Sequence, residues 1–413
     1  MRVIIGVAST IFVLAIGFAV SQTTISSHQL DRAAGHPRNA HDGREIFRFD
    51  TFGDEQLWTD VLRMHEVLPS VDPMTALSVG LKVDVDALPP EIVDALRNNE
   101  VDLTDPAVTI ALLGLNAVVG VKGSVDESGH LTSVGITCAL CHSTVDDSLT
   151  EGIGRRLDGW ANIDLNVGAI VALSPSPLID DFREEFNDWG PGKYDPRHHA
   201  FDGAGLSLLN GPSPSVPIVI PPIYGLRGVG FETYTADGPI SYWNRYVGVS
   251  QMGGHGSFSD PRIGLTITQT PDLVAPKLRA LLEYQLSLRT PEPPPDSFDR
   301  QAARRGRRVF RDEARCSSCH QGPTFTDVLS GRRRDQPVLH EPTEVGMDPA
   351  YALRSATKQY RTTPLRGLLH HPPYFHDGSA ADLRAVVEQY DEHFGLNLTD
   401  DQKSDLVEYL KSL

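Results

Sequence analysis

The sequence predicts a mainly α-helical protein of two similar domains, preceded by an extra N-terminal helical segment. A Cys-x-x-Cys-His segment occurs twice, at 138–142 and at 316–320. Each is followed by Leu-Arg-Gly and then by Tyr-x-x-Asp-Gly, in the same order. Each half closes with Leu recurring at helical spacing after an initial Thr, over 270–287 and 398–412. A repeated order of motifs of this kind indicates duplicated modules.

The first residues have the composition of a secretory signal peptide. One positive charge precedes an apolar run over 3–20, and Ala19-Val20-Ser21 is a small-x-small cleavage site. A membrane anchor is the alternative, but the run is near the lower length limit for a span and no stop-transfer pattern follows it. We therefore expect cleavage of residues 1–21 and a periplasmic mature protein with no membrane anchor.

All four cysteines belong to the two Cys-x-x-Cys-His segments. Four cysteines in an exported protein would by default predict disulfides, and paired Cys-x-x-Cys segments also suit zinc. The His after each pair favours haem, because two thiols on one turn add to both vinyl groups of a porphyrin and the imidazole coordinates its iron. The sequence therefore predicts two cytochrome c-like helical domains, each wrapped around one covalent haem c. The attachment residues are Cys138, Cys141, His142, Cys316, Cys319 and His320.

The charge balance limits the classes of partner. The 413 residues include 54 Asp and Glu against 37 Lys and Arg. This balance argues against nucleic acid, because nothing would neutralise the phosphates. It permits docking of a basic small soluble electron donor, such as a cytochrome or a cupredoxin.

The order of segments predicts the domain organisation. Pro291 to Pro295 form a stiff, extended linker. Residues 22–120 have helical spacing, and we expect them to cover the first haem or to form a separate cap. The predicted units are a signal peptide (1–21), an N-terminal extension (22–120), a first haem domain (121–290), the Pro-rich linker (291–297) and a second haem domain (298–413).

The second half resembles a known family on four segments: Gly322–Asp327, Tyr360–Gly367, Pro372–Ser379 and Leu383–Tyr390. Together with the Cys-x-x-Cys-His segment, they resemble the bacterial di-haem cytochrome c peroxidase superfamily. This superfamily includes the tyrosine-ligated enzymes that mature methylamine dehydrogenase. The first half matches more loosely, and residues 22–120 lie outside the resemblance. The resemblance implies reaction with hydrogen peroxide or oxygen at the N-terminal haem and electron transfer through the C-terminal haem.

The resemblance implies a sixth ligand for the second haem, fourteen residues after His376. The peroxidases have Met there and the maturation enzymes have Tyr, and this chain has Tyr390. A phenolate stabilises ferric iron and lowers the reduction potential relative to Met. Three alternatives stay open: Tyr390 only packs in a helix, Met347 reaches the iron, or His340 does. The iron ligands named by this interpretation are His142, His320 and Tyr390.

At the first haem, the family's removable distal His is missing from Ile153–Trp160. Its loss would leave an open face, which separates a reactive haem from an electron carrier. Met252 and His255 follow in a glycine-rich loop, where the backbone could approach a flat cofactor closely. We predict His255 as the catalytic residue, either as a sixth ligand or as a distal acid-base group. A glycine-rich loop without a catalytic role is the third interpretation.

Two departures weaken a peroxidase assignment. The family's distal Glu is not evident in Ser259–Gly264, and Ala236 replaces the Trp that lies between the haems. Trp160 and Trp243 are the candidates for a substitute electron route, although a Trp in this context is more often part of a core. The family often holds a calcium ion between the domains, which adds calcium to the implied cofactors.

Other charged and paired residues have two interpretations. The pairs His198-His199 and His370-His371 are predicted to be loop surface, because adjacent side chains do not point at one metal. Arg227 and Arg366 recur at equivalent places, which suits contact with haem propionates or structural packing equally.

Together these features predict an exported di-haem c-type cytochrome oxidoreductase, a haem enzyme of the cytochrome c peroxidase-like type. The alternative is a non-catalytic di-haem electron-transfer protein with two six-coordinate haems. A third interpretation is a haem-dependent dioxygenase that resembles this family and cleaves hydrophobic polymers.

Overall fold

The computed structural model describes residues 37–208, 215–329 and 337–413. The predicted signal peptide, 1–21, lies outside these ranges. Helices are the main regular structure, and small two-stranded sheets connect them. The prediction of a mainly helical chain is confirmed in this respect, whereas the sheets were not predicted and the two cytochrome c-like domains stay a prediction. In the described part of the chain, every helix is too short or too polar to cross a membrane.

The helices are spread over the whole described chain. In order they are α1 Pro37–Phe49, α2 Met64–Val67, α3 Pro73–Ser78, α4 Pro90–Arg97, α5 Pro106–Gly114, α6 Ala139–His142, α7 Val167–Ala172, α8 Arg183–Asn187, α9 Ile240–Tyr246, α10 Leu278–Ser287, α11 Arg300–Arg311, α12 Pro342–Val345, α13 Ala350–Leu353, α14 Leu383–Phe394 and α15 Asp400–Lys411. Two π-helices occupy Gln56–Val61 and Val247–Gln251. The 3₁₀ turns are Leu68–Ser70, Val85–Ala87, Pro177–Phe182, Pro261–Ile263, Ala275–Lys277, Cys316–Ser318 and Leu368–His370.

The strands form short pairs, some of them local hairpins and others between distant loops. They are β1 Val83–Asp84, β2 Val121–Val125, β3 Leu131–Ile136, β4 Ser143–Val145, β5 Ile153–Gly154, β6 Arg156–Asp158, β7 Lys193–Tyr194, β8 His199–Phe201, β9 Leu206–Leu208, β10 Ile218–Val219, β11 Phe258–Asp260, β12 Leu265–Ile267, β13 Leu339–His340 and β14 Tyr360–Arg361. The pair β1 and β5 is parallel. The antiparallel pairs are β2 with β3, β4 with β6, β7 with β10, β8 with β9, β11 with β12 and β13 with β14.

The N-terminal extension is packed into the core of the first half. Its π-helix buries Leu57 and Trp58, in line with the helical spacing of the sequence. Both belong to the large cluster, a hydrophobic core that also takes side chains from 131–220. A second core, the small cluster, joins α1 to α10 and includes Phe47, Ala139, Tyr246, Met252 and Tyr284. Residues 40–120 therefore share two cores with the first half.

The second half is built on three helices around its own hydrophobic core. Helix α11 packs against α15, and α14 packs against α15. Their buried apolar side chains include Val309, Phe310, Leu383, Val387, Leu406 and Leu410. A Cβ on Gly306 would overlap the backbone of Asp405, so this glycine sets the close crossing of α11 and α15.

The two closing helices begin differently, although both sequences begin with Thr. Thr399 caps α15 and forms a capping box with Gln402, as predicted. The matching prediction at Thr270 is wrong, because α10 begins only at Leu278 after a 3₁₀ turn. Asp272 accepts bonds from the next loop amides, and Pro276 lacks the N–H that a helix interior needs.

Candidate functional site

The first Cys-x-x-Cys-His segment lies between the two hydrophobic cores of the first half. Cys138 borders the small cluster, and Cys141 borders the large cluster. The side-chain hydroxyl of Thr137 donates to the carbonyl of Arg48 in the N-terminal extension. Gly120, with φ +75°, lies so close to Leu140 that a Cβ on Gly120 would overlap the Leu140 backbone. The extension therefore fixes the position of the first segment.

The imidazole of His142 is oriented by a distant carbonyl. Its Nδ1 lies 3.1 Å from the carbonyl oxygen of Pro221. A carbonyl can only accept a hydrogen bond, so Nδ1 carries the proton and Nε2 keeps its lone pair. Burial lowers the pKa of His142 to about 4, which keeps the ring neutral. A neutral imidazole with a free Nε2 and a bonded Nδ1 is the arrangement of metal-ligating histidines.

The four cysteines are present as thiols. None forms a disulfide, so the disulfide alternative is wrong for this structure. Burial raises the pKa of Cys138 and of Cys141 to about 12, and that of Cys316 to about 11. The neighbouring imidazole of His340 instead lowers the pKa of Cys319.

The second segment repeats the arrangement of the first. His320 follows the 3₁₀ turn Cys316–Ser318, and its Nδ1 lies 2.9 Å from the carbonyl oxygen of Phe325. Nδ1 therefore carries the proton here as well, and Nε2 keeps its lone pair. Burial lowers the pKa of His320. Both histidines that the sequence assigned as iron ligands are thus held in the same tautomer.

A cavity of about 750 Å³ opens beside the second segment. Its wall combines both thiols and His320 with many apolar side chains, and its size is typical of a site for a small organic cofactor. Other residues on the wall are Tyr224, Tyr234, Phe310, His340, Met347, Arg361, Arg366, Leu368, His371, Phe375, His376, Leu383, Val387, Tyr390 and Leu406. An apolar cavity that has two thiols and a lone-pair imidazole on its wall fits a covalently attached haem.

The cavity brings the three candidate sixth ligands together. Tyr390 lies on the wall between Phe375 and Phe394, with ring centroids 5.6 and 5.9 Å apart. Burial raises its pKa, and both cysteines of the second segment add to this shift. In the described part of the chain, its hydroxyl has no hydrogen-bond partner. Met347 also lines the cavity, and it packs against a separate group of buried side chains that contains Tyr360.

His340 is engaged on both ring nitrogens. Nδ1 lies 3.1 Å from Glu344, and Nε2 lies 3.1 Å from Thr362 and 3.4 Å from Asp327. Hydrogen bonds with Asp327, Cys319 and Glu344 raise its pKa to about 11. Because protein side chains engage both ring nitrogens, neither nitrogen is free to face the cavity. The ligand atoms of Cys319, Asp327 and His340 lie within 4.8 Å of one another.

His255 and Met252 have different surroundings. The Nδ1 of His255 is 2.7 Å from the carbonyl oxygen of Pro271, which leaves Nε2 as a base. Met252 is buried in the small cluster, which Cys138 borders. The glycines between them approach the N-terminal extension, because a Cβ at Gly253 would overlap Leu57. The glycine-rich loop, which was predicted to approach a flat cofactor, packs against the N-terminal extension instead. No contact of His255 with residues 138–142 is found in the described ranges, and its catalytic role stays a prediction.

The segment after Pro221 connects the two sites. Pro221 accepts the hydrogen bond from His142, and it also lines the second cavity. Tyr224 lines the same cavity, and its hydroxyl donates to Gly367 over 3.0 Å. The ring of Trp160 lies 6.0 Å from Tyr224 and 4.8 Å from His370. Tyr224 lies two residues before the repeated Leu-Arg-Gly, but nothing in the sequence indicated contact with both sites.

Several loop predictions are corrected by the structure. His371 lies on the cavity wall and His198 is 4% exposed, so neither is loop surface. Arg366 donates to the carbonyls of Gly225, Arg227 and Pro323, whereas the Arg227 side chain is exposed. The two arginines are therefore not equivalent.

Comparison with known proteins gives distant likenesses to solved structures. No protein-family model and no curated protein matches the chain. A MauG-like protein associated with microbial copper homeostasis is 19% identical, with a TM-score of 0.36, over 53% of this chain and 85% of the other. Hydrazine synthase of Kuenenia stuttgartiensis is 21% identical, with a TM-score of 0.34, over 58% and 81%. Both scores are low, so any functional assignment depends on the site residues.

Proposed function

We propose that the chain is an exported di-haem c-type cytochrome oxidoreductase. The observation that carries this proposal is the repeated arrangement of His142 and His320. Each follows two cysteine thiols in the sequence. Each donates a hydrogen bond from Nδ1 to a backbone carbonyl and keeps a free lone pair on Nε2. Cys138 and Cys141 would hold one haem, and Cys316 and Cys319 the other.

When bound, each haem would supply an iron that takes up and releases single electrons and that can react with peroxide or oxygen. The first centre is the proposed site of that reaction. His142 would hold the iron from one side, fixed by the Pro221 carbonyl. His255 would hold or release a proton at its free Nε2.

The second centre is the proposed electron-transfer centre. His320 would be its proximal ligand, and Tyr390 the sixth ligand. The support for Tyr390 is its position on the cavity wall, where both cysteines of the second segment contribute to its raised pKa. The apolar wall would exclude water, and Arg361 would supply positive charge there.

The proposal extends to location and partners. A signal peptide at 1–21 would export the protein to the periplasm. A basic small electron donor, a cytochrome or a cupredoxin, would suit the net charge of −17. A calcium ion between the halves is a further proposed cofactor. The alternative is a non-catalytic electron-transfer protein, and Met252 favours it, because a buried thioether beside the first segment could close the sixth position.

Low-temperature EPR of the purified oxidised holoprotein, followed by addition of hydrogen peroxide, tests the proposal. We expect one high-spin ferric signal that disappears with peroxide while the optical spectrum changes. Two low-spin signals that do not respond to peroxide, before and after partial reduction, would contradict the enzyme and favour the electron carrier. A protein with no covalently bound haem would contradict both.

A further inference from the structure

Glu232 is a buried carboxylate at the contact between the two halves. Only 4% of the residue's surface is exposed. The Oε1 atom accepts a hydrogen bond from the Asp237 amide over 2.9 Å. The Oε2 atom is buried and has no hydrogen-bond partner in the described part of the chain. An orphaned carboxylate oxygen of this kind calls for a physical explanation.

The cations around Glu232 are bound to other groups. Arg361 donates to the carbonyls of Thr233 and Phe231, and Arg197 pairs with Asp237. A buried carboxylate without a direct cation partner favours its neutral form. Burial, followed by repulsion from Asp237, raises the pKa of Glu232 to about 8, while both arginines act in the opposite direction.

Glu232 is next to the wall of the second cavity. Thr233, Tyr234 and Arg361 line that cavity with Cys316 and His320. A change of charge in the cavity therefore acts on Glu232 through the protein interior, where charges are screened much less than in water. Thr233, the residue after Glu232, also has a buried hydroxyl without a hydrogen-bond partner in the described ranges.

Other titratable groups near this wall have shifted pKa values. Hydrogen bonds raise the pKa of His340 to about 11, and burial lowers the pKa of His371 to about 4 and also lowers that of His376. Burial raises the pKa of Tyr234. Glu232 is distinguished by its buried Oε2 atom, which has no hydrogen-bond partner in the described ranges.

We propose that Glu232 is the proton-accepting residue that is coupled to the second centre. One electron passes from a one-electron donor to the second centre, and one proton passes from solvent to Oε2, so the combined charge of centre and carboxylate does not change. Reoxidation releases the proton. This inference depends on the proposed function, because it requires a redox centre at Cys316 to His320.

Potentiometric titration of the holoprotein between about pH 6 and pH 9, followed at the second haem, tests this assignment. The midpoint potential of the native protein should fall as the pH rises, because proton binding to the reduced form is lost. Glu232→Gln should remove most of that fall. Glu388→Gln, at a surface carboxylate paired with Arg384, should leave it unchanged. An equal fall in Glu232→Gln, or no fall in the native protein, would overturn the assignment.

A second measurement needs no variant, in case Glu232→Gln does not fold. The infrared difference spectrum between reduced and oxidised native protein should show a protonated carboxyl band that appears on reduction and shifts in D₂O. The absence of this band would overturn the assignment. A protein without the second haem would instead overturn the proposed function, and this assignment with it.

Discussion

The two Cys-x-x-Cys-His segments are held in place over very different lengths of chain. The carbonyl that orients His142 comes from Pro221, 79 residues later, whereas the carbonyl that orients His320 comes from Phe325, five residues later. The first segment is also fixed by Gly120 and Arg48 of the N-terminal extension. The second lies on the wall of an open cavity.

The two sites therefore depend on different parts of the chain for their geometry. The second segment is held by a local turn, although Pro221, Tyr224 and Tyr234 of the first half also line its cavity. The first site depends on contacts that form only when the extension, the segment after Pro221 and the two cores have assembled. Changes far from the first segment should therefore disturb it, while the second site should tolerate them.

The largest expected effect comes from removing one pair of thiols at a time. Cys138→Ser with Cys141→Ser should remove one covalent haem, and Cys316→Ser with Cys319→Ser should remove the other. Because two cores meet at the first segment, the first double variant should also give less folded protein. Intact mass after denaturation measures the haem-to-protein ratio, and circular dichroism measures folding. An unchanged ratio in either variant would contradict covalent attachment there.

A substitution in the extension tests whether the first site depends on distant packing. In Gly120→Ala, the new methyl group would overlap the backbone of Leu140. We expect a loss of unfolding free energy of about 1–3 kcal/mol from overpacking, in addition to about 1–2 kcal/mol for a non-glycine residue in this conformation. Gly129→Ala is the matched control, because Gly129 has φ +86° and open space around it. Urea unfolding should separate the two variants, and equal losses would mean that the contact with Leu140 is not important.

Local signals in the sequence predicted the local features of the fold. The capping box at Thr399 and Gln402 depends on residues three apart, and it was found as predicted. The same signal failed at Thr270, because Asp272 and Pro276 favour a turn there. The Cys-x-x-Cys-His segments are local as well, so the proposed attachment residues could be named without a structure.

Features that depend on distant residues could not be predicted in this way. The role of Gly120 appears only when Leu140 is placed against it, and Tyr224 gains its position from Gly367 in the other half. Glu232 belongs to no sequence motif, because its raised pKa comes from burial and from the nearby Asp237. For the same reason, the glycines near His255 were assigned to a cofactor, although their partner is the extension.

Substitution of Tyr390 tests the second site by itself. If the phenolate ligates the iron, Tyr390→Phe should raise the midpoint potential of the second haem and change its ferric spectrum, because an anionic donor is lost. Met347→Leu, on the same wall, should leave both unchanged. The reverse pattern would assign the ligand to Met347. The first haem should keep its spectrum in both variants, because Tyr390 and Met347 lie on the wall of the second cavity.

The smallest expected effect concerns the connection between the sites. Gly159 donates to the carbonyl of His142 over 2.8 Å, and the next residue, Trp160, contacts Tyr224 and His370. Because Tyr224 lines the second cavity, these rings form the short aromatic path between the two segments. Trp243 packs against Tyr246 instead.

Trp160→Leu should therefore slow electron transfer between the haems several-fold and leave haem content and both spectra unchanged. Trp243→Leu is the matched control, since it removes an equally half-buried indole away from the cavity wall. Stopped-flow reduction of the second haem, followed by observation of the first, measures the rate. If only Trp243→Leu slows the transfer, the path runs through α9, and the segment after Pro221 serves only to hold His142.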